Sequence, residues 1–307
     1  MSLFSKKLTT ILLFLVSFNA HAKPIVNSDS SQCHKNRGVL VLAHGKSSHV
    51  HNGTAPIVSD EDLWETTILK MVGEASRSIS VPIEVAFGMW DKENFQEGVN
   101  LLANQSVCEL VVIPLFISDH SNVIRTQKYQ FHLTDENPLP FEPGRITIPA
   151  TIHHIEFKSA LNDHPFLSSI IADRASQLSI NPASEDLILV AHGPNDETDD
   201  LQWHKDLSAH AERIVTPFFK KHIITLRDDA PDEIRNQRTK ELQDLVKQSL
   251  ANQRKALIVP VLLAPGGIEA GLKERLYGLD YVLSPKMLAP DSHLVEWLIQ
   301  KSNEPTL

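Results

Sequence analysis

The stretch Val39-Leu40-Val41-Leu42-Ala43-His44-Gly45 returns as Leu187-Ile188-Leu189-Val190-Ala191-His192-Gly193, an offset of 148 residues. A second stretch, Val111-Val112-Ile113-Pro114-Leu115-Phe116-Ile117, is matched by Leu257-Ile258-Val259-Pro260-Val261-Leu262-Leu263, an offset of 146. Two matches at nearly one period indicate that a unit of about half the chain is duplicated. Continuous short runs of Val, Ile and Leu are typical of strands buried on both faces of a parallel sheet.

Between these runs the apolar residues recur three and four positions apart, which is the spacing of amphipathic helices. The N-terminal half is predicted to contain strands 39–43, 82–87, 109–117 and 146–150 and helices 60–79, 93–104, 122–130 and 165–178. The C-terminal half is predicted to contain strands 187–191, 222–226, 256–263 and 279–283 and helices 198–216, 232–251, 268–276 and 291–300. Alternating strands and helices predict an α/β fold made of two doubly wound parallel-sheet halves. The Pro- and Gly-rich segment 134–145 is predicted to be a loop.

The beginning of the chain has the order of a secretory signal peptide. Lys6 and Lys7 precede an apolar run, Leu8 to Phe18, and small residues lead to an expected cleavage site after Ala22. The run is short for a hydrocarbon core of about 30 Å, so we expect cleavage and export rather than an uncleaved membrane anchor. In a Gram-negative host the mature protein would be periplasmic. We therefore assign 1–22 to the signal peptide, 23–180 to the N-terminal half and 181–307 to the C-terminal half.

The overall composition narrows the classes of function. The chain has 307 residues, 42% of them hydrophobic and 22% charged, which is typical of a folded globular protein. Its 29 Lys and Arg against 38 Asp and Glu give a net charge of -9, which disfavours nucleic-acid binding. The sequence has no G-x-S-x-G, G-x-x-x-x-G-K-[ST] or H-E-x-x-H motif, so the hydrolase, P-loop and zincin peptidase classes lack their signatures. We expect no organic cofactor.

Three histidines follow predicted strands. His44 and His192 come directly after the two matched strands, and His120 lies three residues beyond strand 109–117. Ligands of open α/β sheets bind outside the carboxyl ends of the strands, and imidazole is a common ligand of transition metals. We predict a metal site made by these three residues; the alternative is that each imidazole only binds a nearby carbonyl group. His49 and His51 are either additional ligands or part of a solvated loop.

These motifs together resemble the CbiX/SirB family of class II tetrapyrrole chelatases. The residues that carry the resemblance are Ala43-His44-Gly45-Lys46-Ser47, Val85-Ala86-Phe87 and Val112-Ile113-Pro114-Leu115-Phe116-Ile117-Ser118, with Val190-Ala191-His192-Gly193 and 259–267 in the second half. The resemblance covers nearly the whole mature chain. It implies two chelatase-like halves that face a common cleft and insert Co(II), Ni(II) or Fe(II) as substrate into sirohydrochlorin.

The resemblance also assigns roles to residues. His44 and His120 are expected to hold the metal, and Glu269 or a neutral imidazole is expected to accept a pyrrole proton. Basic residues near the strand ends are expected to bind the carboxylates of the macrocycle. These are Lys46, Arg125 and Lys128, with Arg227 and Lys273 as further candidates; the alternative for each is a solvated surface cation with no role in binding.

The chain also departs from the family pattern. It has Met89, Asn122 and Ile268 where the family pattern has a functional side chain. A second hypothesis therefore stays open, in which the protein is a non-catalytic periplasmic protein that binds a metal or a tetrapyrrole and buffers or delivers it.

The two cysteines, Cys33 and Cys108, each lie just before a predicted strand. In the doubly wound strand order 2-1-3-4 the first and third strands are neighbours. That order places His44 beside His120 at one edge of the sheet and both cysteines at the opposite edge. In an oxidising compartment we predict that the cysteines form a disulfide, and two buried thiols are the alternative.

Overall fold

A computed structural model describes residues 36–45, 60–264 and 267–305. Within these segments the strands form two four-stranded parallel sheets with the orders β2-β1-β3-β4 and β6-β5-β7-β8. The first sheet comprises β1 (Arg37–Ala43), β2 (Ile83–Phe87), β3 (Glu109–Leu115) and β4 (His154–Phe157). The second comprises β5 (Glu185–Ala191), β6 (Lys220–Thr225), β7 (Lys255–Val261) and β8 (Val282–Leu283). The predicted α/β class, the duplication and the doubly wound strand order are confirmed.

Helices connect and cover the strands. In the N-terminal half they are α1 (Asp60–Ala75), α2 (Lys92–Asn104), α3 (Asn122–Gln130) and α4 (Pro165–Leu178). In the C-terminal half they are α5 (Glu197–Arg213), α6 (Asp232–Ala251), α7 (Gly267–Arg275) and α8 (Ser292–Asn303). The predicted boundary between residues 180 and 181 lies in the short segment between α4 and β5. Among the helices of the described segments, none combines the length and apolar character that a membrane crossing requires.

The prediction of a strand at 146–150 is wrong, because the fourth strand of the first sheet is β4, at His154–Phe157. Ile146 is buried in the core of the N-terminal half, which explains the apolar signal. Its backbone N–H, however, donates to the carbonyl of Gln130 rather than to a neighbouring strand. His153 and His154 therefore lie at the amino edge of the sheet, away from His44. The strand predicted at 279–283 is shorter in the structure, where only Val282–Leu283 pairs with β7.

Both faces of each sheet are buried. The apolar side chains at odd-numbered positions of β1, β3, β5 and β7 share one core between the two sheets, together with α1, α4, α5 and α8. Those at even-numbered positions of β1 and β3 pack against α2, and those of β5 and β7 pack against α6 and α7. This double burial explains why the strand sequences are continuously apolar rather than alternating.

The last helix of each half packs on the sheet of the other half. Helix α4 lies on β7, and α8 lies on β3. The guanidinium of Arg174 on α4 donates to the carbonyls of Met287 and Leu288 at 3.0 and 3.3 Å. Lys158, which follows β4, donates to the carbonyl of Pro305 beyond α8 at 3.2 Å. Each half therefore completes the packing of the other.

Candidate functional site

His44 and His120 lie at the carboxyl edge of the first sheet. Strands β1 and β3 are direct neighbours, with Ala43 opposite Leu115, so the residues that follow them emerge side by side. His44 is exposed and His120 is half-buried. The backbone N–H of His120 donates to Ser118 Oγ at 3.2 Å, which holds the loop that leads into α3.

A tryptophan indole anchors the backbone of each of these histidines. Trp64 Nε1 on α1 donates to the carbonyl of His44 at 2.5 Å. Trp203 Nε1 on α5 donates to the carbonyl of His120 at 2.8 Å. Both tryptophans are buried, but Trp64 belongs to the N-terminal half and Trp203 to the C-terminal half. The position of His120 is therefore fixed in part by the other half of the chain.

Sequence reasoning missed a carboxylate beside His44. A Cβ built on Gly45 would lie 2.8 Å from Glu65 Oε1, so Glu65 on α1 packs against the end of β1. Glu65 lies inside a helix and belongs to no motif. Only the fold brings it to His44, because α1 packs on the same sheet.

Sequence reasoning also missed Asp206 on α5. Its Oδ2 atom is buried and has no hydrogen-bond partner among the described residues. Burial raises the pKa of the Asp206 carboxyl. Among the neighbouring groups, His120 opposes this rise most strongly. A partly buried carboxyl with a raised pKa and an imidazole among its electrostatic neighbours is a candidate for a functional site. No sequence pattern links two residues so far apart in the chain.

The corresponding edge of the second sheet has different chemistry. His192 Nδ1 donates to the carbonyl of Gly193 at 2.6 Å, and its Nε2 lies 3.5 Å from Asp229 Oδ2. The backbone N–H of Arg227, a buried residue, donates to the carbonyl of His192 at 2.6 Å. Strand register places Arg227 where the first half has Met89, because Ala43 pairs with Phe87 and Ala191 pairs with Thr225.

The buried guanidinium of Arg227 holds the loop after His192. It donates to the carbonyl of Pro194 at 3.1 Å and to Glu197 Oε2 at 2.6 Å. This guanidinium, although paired with Glu197, lies at the edge that carries His192 and has no counterpart in the first half, which has Met89 at the equivalent position. The two histidine-bearing edges are therefore not equivalent.

The three predicted histidine ligands do not form one cluster. Across residues 36–45, 60–264 and 267–305, no group of three or more His, Cys, Asp or Glu side chains is placed to hold a metal ion. His44 and His120 share one sheet edge, whereas His192 lies on the other sheet. His49 and His51 lie outside the described residues.

Several residues predicted to bind the substrate already have partners in the protein. Arg125 donates to both carboxylate oxygens of Asp199, at 2.9 and 2.6 Å, and these hydrogen bonds raise the pKa of the guanidinium. Lys128 Nζ lies 5.6 Å from the centre of the Phe157 ring. Lys46 lies outside the described residues.

The predicted proton acceptor Glu269 forms an ion pair with Lys273 at 2.5 Å, one turn further along α7. Of the departures from the family pattern, Ile268 packs against the core of the C-terminal half. Cys108 takes part in a disulfide, and its predicted partner Cys33 lies outside the described residues, so the pairing stays a prediction.

The fold is similar to those of known chelatases. No protein-family model matches the chain, and no curated protein matches it in sequence. The structure of SirB from Bacillus subtilis with Fe3+ is similar at a TM-score of 0.61 and 14% identity, over 88% of this chain and 96% of that chain. DR2241 from Deinococcus radiodurans, a multi-domain protein with structural similarity to chelatases, is similar at a TM-score of 0.51 and 16% identity, over 87% of this chain and 55% of that chain. This chain thus has a chelatase-like fold with two halves.

Proposed function

We propose that this protein inserts a divalent metal ion, Co(II), Ni(II) or Fe(II), into a sirohydrochlorin-type tetrapyrrole. The observation that carries the proposal is the position of His44 and His120 at one edge of neighbouring strands, each with its carbonyl bound by a tryptophan. The similarity of the fold to SirB, whose structure contains Fe3+, supports a metal-handling role. The strand-end motifs that resemble the chelatase family support the tetrapyrrole as the second substrate.

The proposed chemistry needs one change at the metal and one at the macrocycle. The hydrated cation must lose water, and two pyrrole nitrogens must lose their protons. Imidazole nitrogens of His44 and His120 can replace water ligands of Co(II), Ni(II) or Fe(II), which lowers the reorganisation needed when the ion enters the ring. A neutral imidazole can accept a pyrrole proton. The predicted acceptor Glu269 is already engaged in an ion pair with Lys273 within the protein.

The test is an absorption assay with the purified protein, Co(II) and sirohydrochlorin. We expect metal insertion to be faster than in the protein-free reaction, and we expect His44→Ala and His120→Ala to lose most of this acceleration. His132→Ala is the matched control and should keep it: His132 lies two residues after α3, and its imidazole binds the carbonyl of Ile146 rather than any residue of the candidate site. Equal rates with and without the wild-type protein would refute catalysis.

A second candidate function is binding and delivery of a metal or tetrapyrrole without catalysis. It is favoured by the absence of a group of three ligands in the described segments and by Arg227 at the edge of the second sheet. In the same assay this function predicts saturable binding of Co(II) or of the macrocycle with no acceleration of insertion.

The exported location remains part of the proposal, and the predicted signal peptide lies outside the described residues. Expression of the full chain in a Gram-negative host, followed by fractionation and N-terminal sequencing, tests it. We expect a periplasmic product that begins at Lys23. A cytoplasmic product with an intact N-terminus would contradict this prediction.

A further inference from the structure

Helix α5 presents a row of polar residues to the N-terminal half. Asp199, Trp203, Asp206, His210 and Arg213 are spaced alternately four and three residues apart, so they lie along one stripe of the helix. Helix α5 belongs to the C-terminal half, and it packs against α4 of the N-terminal half. The stripe therefore lies at the junction of the two halves.

Four members of this row have a direct partner in the N-terminal half. Asp199 accepts hydrogen bonds from Arg125, and Trp203 donates to the carbonyl of His120 at 2.8 Å. His210 Nε2 donates to the carbonyl of Asn162 at 2.9 Å. Arg213 pairs with the carboxylate of Asp163 at 3.0 Å. These contacts hold both ends of the row in place.

Asp206 lies in the middle of this row and differs from the other four members. Its Oδ2 is buried and has no hydrogen-bond partner among the described residues, and His120 is one of its electrostatic neighbours. The nearby carboxylate of Asp119 is fully used: its Oδ1 accepts from Ala160 N–H at 2.9 Å and its Oδ2 from the Asn162 amide at 2.8 Å. Asp206 therefore carries a buried acceptor atom that the residues described by the structure leave unsatisfied.

A buried carboxylate oxygen without a donor destabilises the folded protein, because it has lost water and gained no hydrogen bond. Trp203, one turn before Asp206 on the same stripe, binds the residue that carries the candidate imidazole. The contact with Trp203 therefore brings the Asp206 carboxylate and His120 to the same part of the junction.

We propose that Asp206 is a metal-binding residue of the candidate site, supplied by the C-terminal half to act with His120 of the N-terminal half. The ligand class is a divalent first-row transition-metal ion, for which imidazole nitrogen and carboxylate oxygen are suitable donors. The inference rests on the proposed metal-handling function and extends it, since it makes the site a product of both halves. In the N-terminal half, Met89 stands where the family pattern has a functional side chain. Asp206 would supply a carboxylate to that half from the C-terminal half.

The test measures Co(II) binding to the purified full chain by calorimetry and by the visible spectrum of bound Co(II). We expect Asp206→Asn to weaken binding at least about tenfold and to change the spectrum. Because the substitution removes an unsatisfied buried charge, we expect the melting temperature to stay equal or to rise. Glu212→Gln, which neutralises an exposed carboxylate on the same helix, should change neither.

The result that overturns the inference is an Asp206→Asn protein that binds Co(II) as tightly as the wild type with the same spectrum. Asp206→Glu is the second variant: it keeps the carboxylate, so it should retain more affinity than Asp206→Asn, and equal loss in both would also overturn the inference. Failure of the proposed function can be distinguished from failure of this inference. Wild-type protein that binds Co(II) through Asp206 without accelerating metal insertion refutes catalysis and supports the inference.

Discussion

Arg125 on α3 and Asp199 on α5 form an ion pair with two hydrogen bonds, of 2.9 and 2.6 Å, that joins the N-terminal half to the C-terminal half. The Asp199 side chain is only 8% exposed, so little water competes for its charge. Arg125 is one turn into the helix that begins directly after His120 and Ser121. The pair therefore fixes the segment that carries the candidate ligand against the other half.

We expect Arg125→Ala to lower the free energy of unfolding by about 1–3 kcal/mol, because it leaves Asp199 buried without its partner. The side chain of Arg125 is itself 41% exposed, so water replaces part of the lost interaction. Urea denaturation measures the change. Arg235→Ala is the matched control: Arg235 pairs with Asp232, which is 82% exposed, and its loss should change stability by less than about 0.5 kcal/mol. Equal effects of the two substitutions would show that this pair contributes no more to stability than an exposed ion pair.

Trp203→Phe tests the hydrogen bond to His120. Phenylalanine keeps most of the buried ring but has no N–H, so the carbonyl of His120 loses its 2.8 Å donor. We expect a loss of about 1 kcal/mol in unfolding free energy and severalfold weaker Co(II) binding. Trp297→Phe is the control, since Trp297 is fully buried and its Nε1 has no hydrogen-bond partner among the described residues. If both variants bind Co(II) as the wild type does, the indole does not position His120.

His210 makes the stability of the protein dependent on pH. It is 1% exposed, its Nδ1 accepts from the Ser168 hydroxyl at 2.7 Å, and burial lowers its pKa to about 4. In the unfolded chain the pKa is the ordinary value of about 6.5, so the unfolded state binds more protons between these two values. Stability is therefore complete above pH 6.5 and falls as the pH approaches 4, by on the order of 3 kcal/mol.

The measurement is urea denaturation at several pH values between 4 and 7. His210→Gln should flatten the pH dependence, although it also lowers stability at pH 7 through imperfect packing. Burial lowers the pKa of His164 and His222 as well, so part of the slope should remain. A wild-type slope in the His210→Gln protein would contradict the assignment.

The parts of this molecule that the sequence predicts are those determined by local pattern. The strand Val39–Ala43 and its copy at 187–191 are buried on both faces, so they have the same apolar signature and the same His-Gly end. The segment 146–150 misled the prediction because Ile146 is buried like a strand residue while its N–H bonds to a helix end. The true strand β4 is short and half polar, so it gives almost no signal.

The parts that the sequence does not predict are contacts between the halves. Trp203 binds His120, and Asp206 is an electrostatic neighbour of His120, only because α5 lies across the junction; no spacing rule relates these residues. From the sequence alone, Arg125 cannot be distinguished from a surface arginine that binds a substrate carboxylate. Its partner Asp199 is 74 residues away in the chain, so only the tertiary structure reveals the internal ion pair.

The unequal chemistry of the two sheet edges gives a last prediction. His192→Ala should weaken Co(II) binding much less than His44→Ala does, because the buried guanidinium of Arg227 lies at the edge that carries His192. Calorimetric titration of both variants with Co(II) measures the difference, with His132→Ala as the common control. If His192→Ala loses as much affinity as His44→Ala, the metal is held across both sheets, and the fixed charge of Arg227 does not exclude a cation from the second edge.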